Sequence, residues 1–314
     1  MKLVVALGGH ALAPGGSAPL AQQEAAVARA AHVLASLARE HELLVTHGNG
    51  PQIGWLASLA HASGEAANLD LLGALTQGML GYWLARELAA ALPQRRVTAL
   101  LTRVEVDPRD PAFGTPSKPI GPVLAPAEAE ALRARGAAVS HTHAGLRRVV
   151  ASPAPVGVLE LDALRLLWDS HAVVVCAGGG GIPVARAAAG TLRGAECVID
   201  KDATAALVAN ALGADGLLLL TDVAAVYADW PHRARPIRRA TRAELASQRF
   251  EPGSMAPKVE AACAFARVPG RRAWIGTFED ARALLSGSAG TEVVADLAAP
   301  RSLTALTGNV SLAP

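Results

Sequence analysis

Leu44-Val45-Thr46-His47-Gly48-Asn49-Gly50-Pro51 is an apolar, β-branched run that stops abruptly on two glycines and a proline. Such a run predicts a strand that passes at once into a helix. Glycine frees the backbone at the turn, and Pro51 suits a first helical residue, whose N–H has no intrahelical partner in any case. Two further runs have the same shape: Val4-Val5-Ala6-Leu7 into Gly8-Gly9-His10, and Val173-Val174-Val175-Cys176-Ala177 into Gly178-Gly179-Gly180-Gly181. Around them, predicted strands at 3–7, 43–46, 97–102, 149–150, 172–176, 216–220 and 272–275 alternate with alanine-rich predicted helices at 22–40, 51–61, 71–91, 160–169, 203–212 and 259–267. That alternation predicts βα units around a mainly parallel sheet, whose carboxyl edge is where open α/β folds bind ligands.

One segment breaks the rhythm. From Asp107 through Pro126 there are six prolines, then a short helical run, Pro126–Arg135, and a loop bearing His141 and His143. Residues 107–150 read as an excursion from the main sheet, a flap, since long irregular insertions in compact domains are usually functional or mobile.

The totals narrow the function classes. The chain has 314 residues, 51% of them hydrophobic and only 18% charged, which gives ample length for a buried core. Its net charge of +2 is spread over scattered arginines, with no basic stripe interleaved with aromatics, so no nucleic-acid partner is expected. Met1-Lys2-Leu3-Val4-Val5-Ala6-Leu7 reads as a strand rather than a signal peptide, and no apolar run approaches the roughly 20 residues of a membrane span. Three cysteines without CxxC spacing suggest neither a disulfide framework nor a zinc knuckle, so the cytoplasm is the expected location. No metal site is expected: His141 and His143 lack an HExxH pattern or a third ligand. The glycine loops match neither GxxxxGK[ST] nor GxGxxG, which argues against a Walker NTPase and a Rossmann dehydrogenase. No GxSxG elbow supports a serine hydrolase.

The cations carry a stronger signal. Of 29 lysines and arginines only four are lysine: Lys2, Lys118, Lys201 and Lys258. A lysine kept against such a bias suits a place where a compact point charge fits and a planar guanidinium does not. Asp200-Lys201-Asp202 precedes a helix, with Asp202 read as its N-cap, and Pro257 reads as a first helical residue with Lys258 second. Lysine at the positive end of a helix is electrostatically unfavourable, and a bound polyanion would remove the conflict at both positions. Lys118, between Pro116 and Pro119, could equally be a solvated loop cation. Leu217–Leu220 ends in Thr221 and Asp222, with Val223 and Tyr227 beyond, and reads either as a nucleotide edge or as an ordinary strand end.

Taken in order, these segments resemble carbamate kinases of the amino acid kinase superfamily. The resemblance rests on Val4–Leu12, Thr46-His47-Gly48-Asn49-Gly50-Pro51-Gln52-Ile53-Gly54, Thr76-Gln77-Gly78-Met79-Leu80-Gly81-Tyr82, and Asp110–Phe113 with Lys118–Pro122. It continues through Arg147-Arg148, Gly178–Val184, Val198–Asp202, Leu220–Val223, Gly253–Ala262 and Gly290-Thr291, so it spans nearly the whole chain.

The resemblance implies a three-layer α/β/α open sandwich, with a mainly parallel central sheet and a small protruding subdomain. It implies a homodimer, ATP/ADP and Mg²⁺ as cofactors, and reversible phosphoryl transfer between ATP and carbamate, with carbamoyl phosphate as the other product. Catabolic members, which serve arginine catabolism, run toward ATP. Residues 1–314 would form one such domain: an acceptor-side lobe over 1–205, carrying the subdomain at about 107–150, and a nucleotide-side lobe over 206–314. Lys201 and Lys258 would contact the transferring group, Asp202 would hold them, and Lys118 would reach in from the flap. Gly8, Gly9, Gly48, Asn49 and Gly50 would bind phosphoryl oxygens or carbamate through backbone N–H groups, with His10, Gly178 and Gly179 beside them. Thr221, Asp222, Val223, Tyr227 and Met255 would lie toward the nucleotide.

The chain departs from the family at three places: His10 stands where asparagine is usual, Ala256 where glycine is, and Leu146 where a tryptophan precedes the double arginine. His10 is the feature that keeps open a same-fold kinase for another small carboxylate or phosphonate. A non-catalytic sensor of carbamoyl phosphate or nucleotide is the remaining alternative, which the intact lysine and Asp202 set argues against.

Overall fold

The structure, a computed structural model, describes residues 1–13, 19–62, 68–142, 145–187, 190–250 and 255–296. Its centre is an eight-stranded sheet. From edge to edge the strands run Arg239–Thr241, Thr291–Val294, Arg272–Thr277, Gly216–Thr221, Lys2–Leu7, Glu42–His47, Val173–Val175 and Val97–Ala99. All neighbours are parallel except Arg272–Thr277 with Thr291–Val294. The near-continuous apolar strands follow from burial on both faces, which a parallel sheet flanked by helices requires.

The two-residue period of a strand sorts these side chains between two cores. Leu3, Val5, Leu43, Val45 and Leu218 meet helices Leu20–Ala38 and Leu69–Ala91 on one face. Val4, Ala6, Leu44, Leu217 and Leu219 meet helices Leu161–Asp169, Lys201–Leu212 and Met255–Phe265 on the other. The result is the expected three-layer α/β/α sandwich with a mainly parallel sheet.

Two smaller sheets stand beyond the carboxyl edge. Leu192–Gly194, Ile182–Arg186, Arg103–Val106 and Pro155–Val158 form a four-stranded sheet that the sequence reading did not anticipate. Its strands are short and carry Pro155, Pro183 and several arginines, so the apolar run that marks a core strand is missing. The proline-rich flap is more regular than expected: strands Lys118–Ile120, Gly145–Val150 and Val139–Thr142 pair antiparallel, and helix Pro126–Ala134 packs on them. Val149-Val150 therefore belongs to the flap and not to the main sheet. Pro119 is tolerated because Lys118–Ile120 is an edge strand.

The flap is seated on helix Gly50–Ala62. A Cβ on Gly54 would lie 2.0 Å from the Cα of Gly121, so only glycine permits this approach. Ile120 is buried beside Ile53, Leu69 and Leu72, and Arg147 donates to the Gly121 carbonyl.

Candidate active site

The parallel register brings the glycine loops to one edge, since Leu7 lies opposite both His47 and Leu220. Gly8 donates its N–H to Leu220 O at 2.8 Å, and Gly48 donates to Leu7 O at 3.0 Å. Those two N–H groups are spent within the sheet, which corrects the expectation that they face a ligand. The glycines serve through closeness instead: a Cβ on Gly48 would stand 2.7 Å from the Gly9 nitrogen, and one on Gly8 would stand 3.1 Å from Leu220 O. Gly50 has open space at that position and begins helix Gly50–Ala62, whose first N–H groups have no intrahelical partner. The side chain of His10 lies outside what the structure describes.

The four-glycine run does not open a helix. Gly178–Gly180 form a buried single 3₁₀ turn. Gly179, Gly180 and Gly181 have φ of 68°, 92° and 101°, a region that favours glycine. A Cβ on Gly178 would strike the His47 ring at 2.3 Å, and one on Gly179 would strike the Asn49 amide at 2.0 Å. Gly178 and Gly179 thus let the turn lie flat against the second glycine loop.

Beside this turn begins helix Lys201–Leu212. Its N-cap is Asp200, whose carboxylate accepts from the N–H groups of Asp202 and Ala203 at 2.9 and 3.2 Å; the expected cap, Asp202, is a helical residue instead. Asp202 is 2% exposed and holds two lysines at once, Lys201 on Oδ1 and Lys258 on Oδ2, the latter at 2.9 Å. Lys118 reaches from the flap to the other oxygen of Asp200 at 2.5 Å. The helix carrying Lys258 is described from Met255, so Pro257 is its third residue and Lys258 its fourth, two later than expected.

Burial alone would raise the Asp202 carboxyl, but the charges of Lys201 and Lys258 outweigh it and hold the group well below the usual carboxylate range. Lys201 is lowered, because burial outweighs Asp202 and Lys258 adds a like charge. For Lys258, burial is outweighed by Asp202 with help from Asp200 and Asp222, and the ammonium is raised. The ammonium groups of Lys118, Lys201 and Lys258 thus gather at a helix N-terminus. Three cations beside the positive end of a helix suit an incoming polyanion.

His47 closes the rear of the loop. Burial, slightly offset by its hydrogen bond with Gly48 O at 3.1 Å, lowers it to about 4, so the ring is neutral near pH 7. His141 lies in an exposed part of the flap sheet, and His143 lies outside the described residues. Among the described residues no group of three or more His, Cys, Asp or Glu could hold a metal ion.

A cavity of about 540 Å³ reaches Met255, at the start of the Lys258 helix. Its lining includes Val223, Tyr227 and Met255 from the sequence reading, and Trp230, Arg235 and Phe250, which that reading missed. Aromatics are 4% of the chain, and the closeness of Tyr227 and Trp230 in sequence was the available signal. Thr221 and Asp222 line a separate recess of about 320 Å³ with Thr277 and Glu279, and the Thr221 hydroxyl donates to Asp222 at 3.1 Å.

Comparison with known proteins places the chain in a family. Residues 1–277 match the amino acid kinase family. Carbamate kinase of Escherichia coli O6:H1 is 48% identical over 294 residues, which is 92% of this chain and 98% of the relative. Among solved structures, Giardia lamblia carbamate kinase bound to citric acid superposes with a TM-score of 0.87 at 30% identity, covering 94% of this chain and 98% of that one. The same enzyme bound to AMP-PNP gives 0.84 at 30% identity with the same coverage. A family match over residues 1–277 and 48% identity across nearly the whole of both chains show that this chain belongs to the amino acid kinase family and, within it, to the carbamate kinases.

Proposed function

We propose that the chain catalyses reversible phosphoryl transfer between ATP and carbamate, giving ADP and carbamoyl phosphate. The observation that carries this reading is the buried Lys201–Asp202–Lys258 cluster, set between the glycine loops and an aromatic-lined cavity. In the forward direction an anionic carbamate oxygen attacks the γ-phosphorus of ATP. The new O–P bond forms as the bond to the β–γ bridging oxygen breaks, and ADP leaves with that electron pair. The attacking oxygen already carries its charge, so no general base is needed. The protein's task is to position the reactants and neutralise charge.

Lys201 and Lys258 meet the transferring group, Asp202 holds both ammonium groups in register, and Lys118 closes from the flap. The N–H groups of Gly9, Asn49 and Gly50 face the acceptor, with His10 next to them; Gly8, Gly48, Gly178 and Gly179 shape those loops. Val223, Tyr227 and Met255 bind the nucleoside end of ATP or ADP, and Thr221 and Asp222 lie toward its phosphates. Mg²⁺ fits such a site, because that ion is usually held by substrate phosphates and one or two carboxylates rather than by an all-protein cage. Asp222, whose charge helps raise the Lys258 ammonium, would share it, and the ion would add charge neutralisation on the phosphates.

Residues 1–205 with the flap form the acceptor side and 206–314 the nucleotide side of one domain. The protein acts in the cytoplasm, in arginine catabolism, toward ATP; no helix among the described residues is long and apolar enough to cross a membrane. The active form is a homodimer. Leu71, Leu75 and Tyr82 are exposed on one stripe of helix Leu69–Ala91 and provide its apolar contact. Sedimentation as a monomer, unaffected by Leu75→Lys, would remove that assembly.

The experiment is a coupled assay of ATP formed from ADP and carbamoyl phosphate, run beside Lys201→Ala. Turnover about 10²–10³ times that of the variant is expected from loss of one charge-stabilising donor. Turnover equal to the variant's sinks the kinase reading and favours a sensor. Turnover with another acyl phosphate alone transfers it to a different acceptor.

A further inference from the structure

The acceptor-side loops need a mount, and one helix supplies it. On helix Leu69–Ala91, Thr76 and Gln77 turn away from the exposed stripe of Leu71, Leu75 and Tyr82 and are buried. Thr76 Oγ1 lies 2.9 Å from both Leu72 O and Gly73 O, and carbonyls only accept, so its single hydrogen is committed to its own helix. Toward Asn49 this hydroxyl can therefore only accept, and Asn49 Nδ2 donates to it at 2.8 Å. Hydrogen accounting thus fixes which way the Asn49 amide faces. Because that amide also lies against Gly179, the loop can offer a ligand its backbone but not a freely turning side chain.

Gln77 anchors the neighbouring turn. Its Oε1 accepts from Thr102 N–H at 2.9 Å, and its Nε2 donates to Thr102 O at 3.1 Å and to Gly178 O at 3.0 Å. Thr102 Oγ1 then accepts from Ala177 N–H at 3.1 Å. Strand Val97–Ala99 has ended before Thr102, and the Gln77 amide pairs with that residue much as a neighbouring strand would. Two adjacent residues of one helix therefore hold both loops of the acceptor side, and neither is placed in contact with a reacting atom.

We propose that Thr76 and Gln77 are positioning residues for the acceptor, setting the 48–50 loop and the 177–181 turn in the conformation that receives carbamoyl phosphate. This rests on the phosphoryl-transfer reading above. Thr76→Val keeps the shape and removes the acceptor, whereas Thr76→Ser keeps the hydroxyl. For Thr76→Val, KM for carbamoyl phosphate should rise about tenfold, the worth of one buried hydrogen bond, with KM for ADP unchanged within about twofold. Thr76→Ser should restore the wild-type value. Gln77→Glu, which sets a carboxylate oxygen against two carbonyls, should show the same split between the two KM values and guards against a Thr76→Val variant that does not fold.

Amide hydrogen exchange supplies a readout independent of turnover. It should quicken at 47–50 and 177–181 in Thr76→Val and not in Thr76→Ser. A lower melting temperature with both KM values and exchange unchanged would make Thr76 merely structural and overturn the proposal, as would an equal rise in both KM values. If the wild-type protein shows no turnover, the kinase reading fails, while the exchange comparison still decides whether Thr76 and Gln77 set the loops.

Discussion

The site holds two kinds of lysine. Lys201 and Lys258 have side chains 11% and 15% exposed and share one carboxylate that is itself buried. Lys118 is 28% exposed, sits on an edge strand of the flap, and pairs with an aspartate whose other oxygen caps a helix. The first pair is fixed by the core on both sides of the carboxyl edge. The third cation arrives on a separate small sheet, seated on helix Gly50–Ala62 through a glycine–glycine contact and a cluster holding Ile120 and Val150. Charges locked in the core give a preorganised field, which stabilises a phosphoryl transition state without reorganisation. A charge carried on the flap is held by fewer buried contacts and stays partly open to solvent. Under the proposed function the difference would separate chemistry from capture, and it should be visible in stability as well as in rate.

Removing the shared carboxylate should have the largest effect. Asp202→Asn leaves two buried ammonium groups facing each other without their counter-ion, and breaking a buried pair in this way costs about 3–5 kcal/mol. Denaturant unfolding of Asp202→Asn beside Asp200→Asn measures it. Asp200→Asn should cost about 1 kcal/mol, because asparagine still caps a helix and the Lys118 pair is partly solvated. Equal losses would mean that the two regions do not differ in the way described.

Acid should separate the two regions next. His47 packs against the turn beside Lys201 and titrates at about 4 in the folded chain against 6.5 in the unfolded one. The unfolded state then binds more protons between those values, so stability is full above pH 6.5 and falls as pH drops toward 4, by about 3 kcal/mol. Asp202, whose folded pKa lies below its unfolded 3.8, adds a second loss at lower pH: its contribution is present above that value and disappears as pH falls through the folded one. Thermal melts of His47→Asn should show a flatter profile from pH 6.5 to 4, whatever the variant does to stability at neutral pH. An unchanged slope would remove His47 from the account. Lys118→Ala should leave both stages in place.

Much of this was legible in the sequence, for reasons that differ by region. The strands Lys2–Leu7, Glu42–His47 and Gly216–Thr221 are apolar along their length because both faces are covered, so composition alone marks them. Lys201 and Lys258 stood out because a lysine-poor chain places them at helix starts. Which aspartate caps and which bridges was not legible, since Asp200 and Asp202 flank the same lysine and the choice depends on Lys258, 56 residues away. The expectation that Gly8 and Gly48 offer free N–H groups failed because parallel pairing consumes those donors at the ends of the strands. Trp230, Arg235 and Phe250 come from loops without periodicity, and only folding brings them to one cavity. Thr76 and Gln77 were part of a recognised segment, but their work lies in hydrogen bonds to strands and loops distant in sequence.

The smallest effects should come from exchanging lysine for arginine, and they bear most directly on why a chain with 29 cationic residues spends so few of them as lysine. Lys118→Ala should raise KM for carbamoyl phosphate about tenfold, roughly 1.4 kcal/mol, with little change in melting temperature, as expected for a partly exposed pair. Lys118→Arg should stay within about threefold of wild type, because an edge strand of the flap has room for a wider head group and the charge is kept. Lys201→Arg meets a different wall. The guanidinium adds volume where the side chain is enclosed beside Asp202, and overpacking of that kind costs about 1–3 kcal/mol before any effect on geometry. Steady-state kinetics of the two arginine variants should therefore diverge by tenfold or more in kcat. If Lys201→Arg is tolerated as well as Lys118→Arg, compactness is not what keeps lysine at the core position, and the division between enclosed and partly exposed cations loses its physical basis.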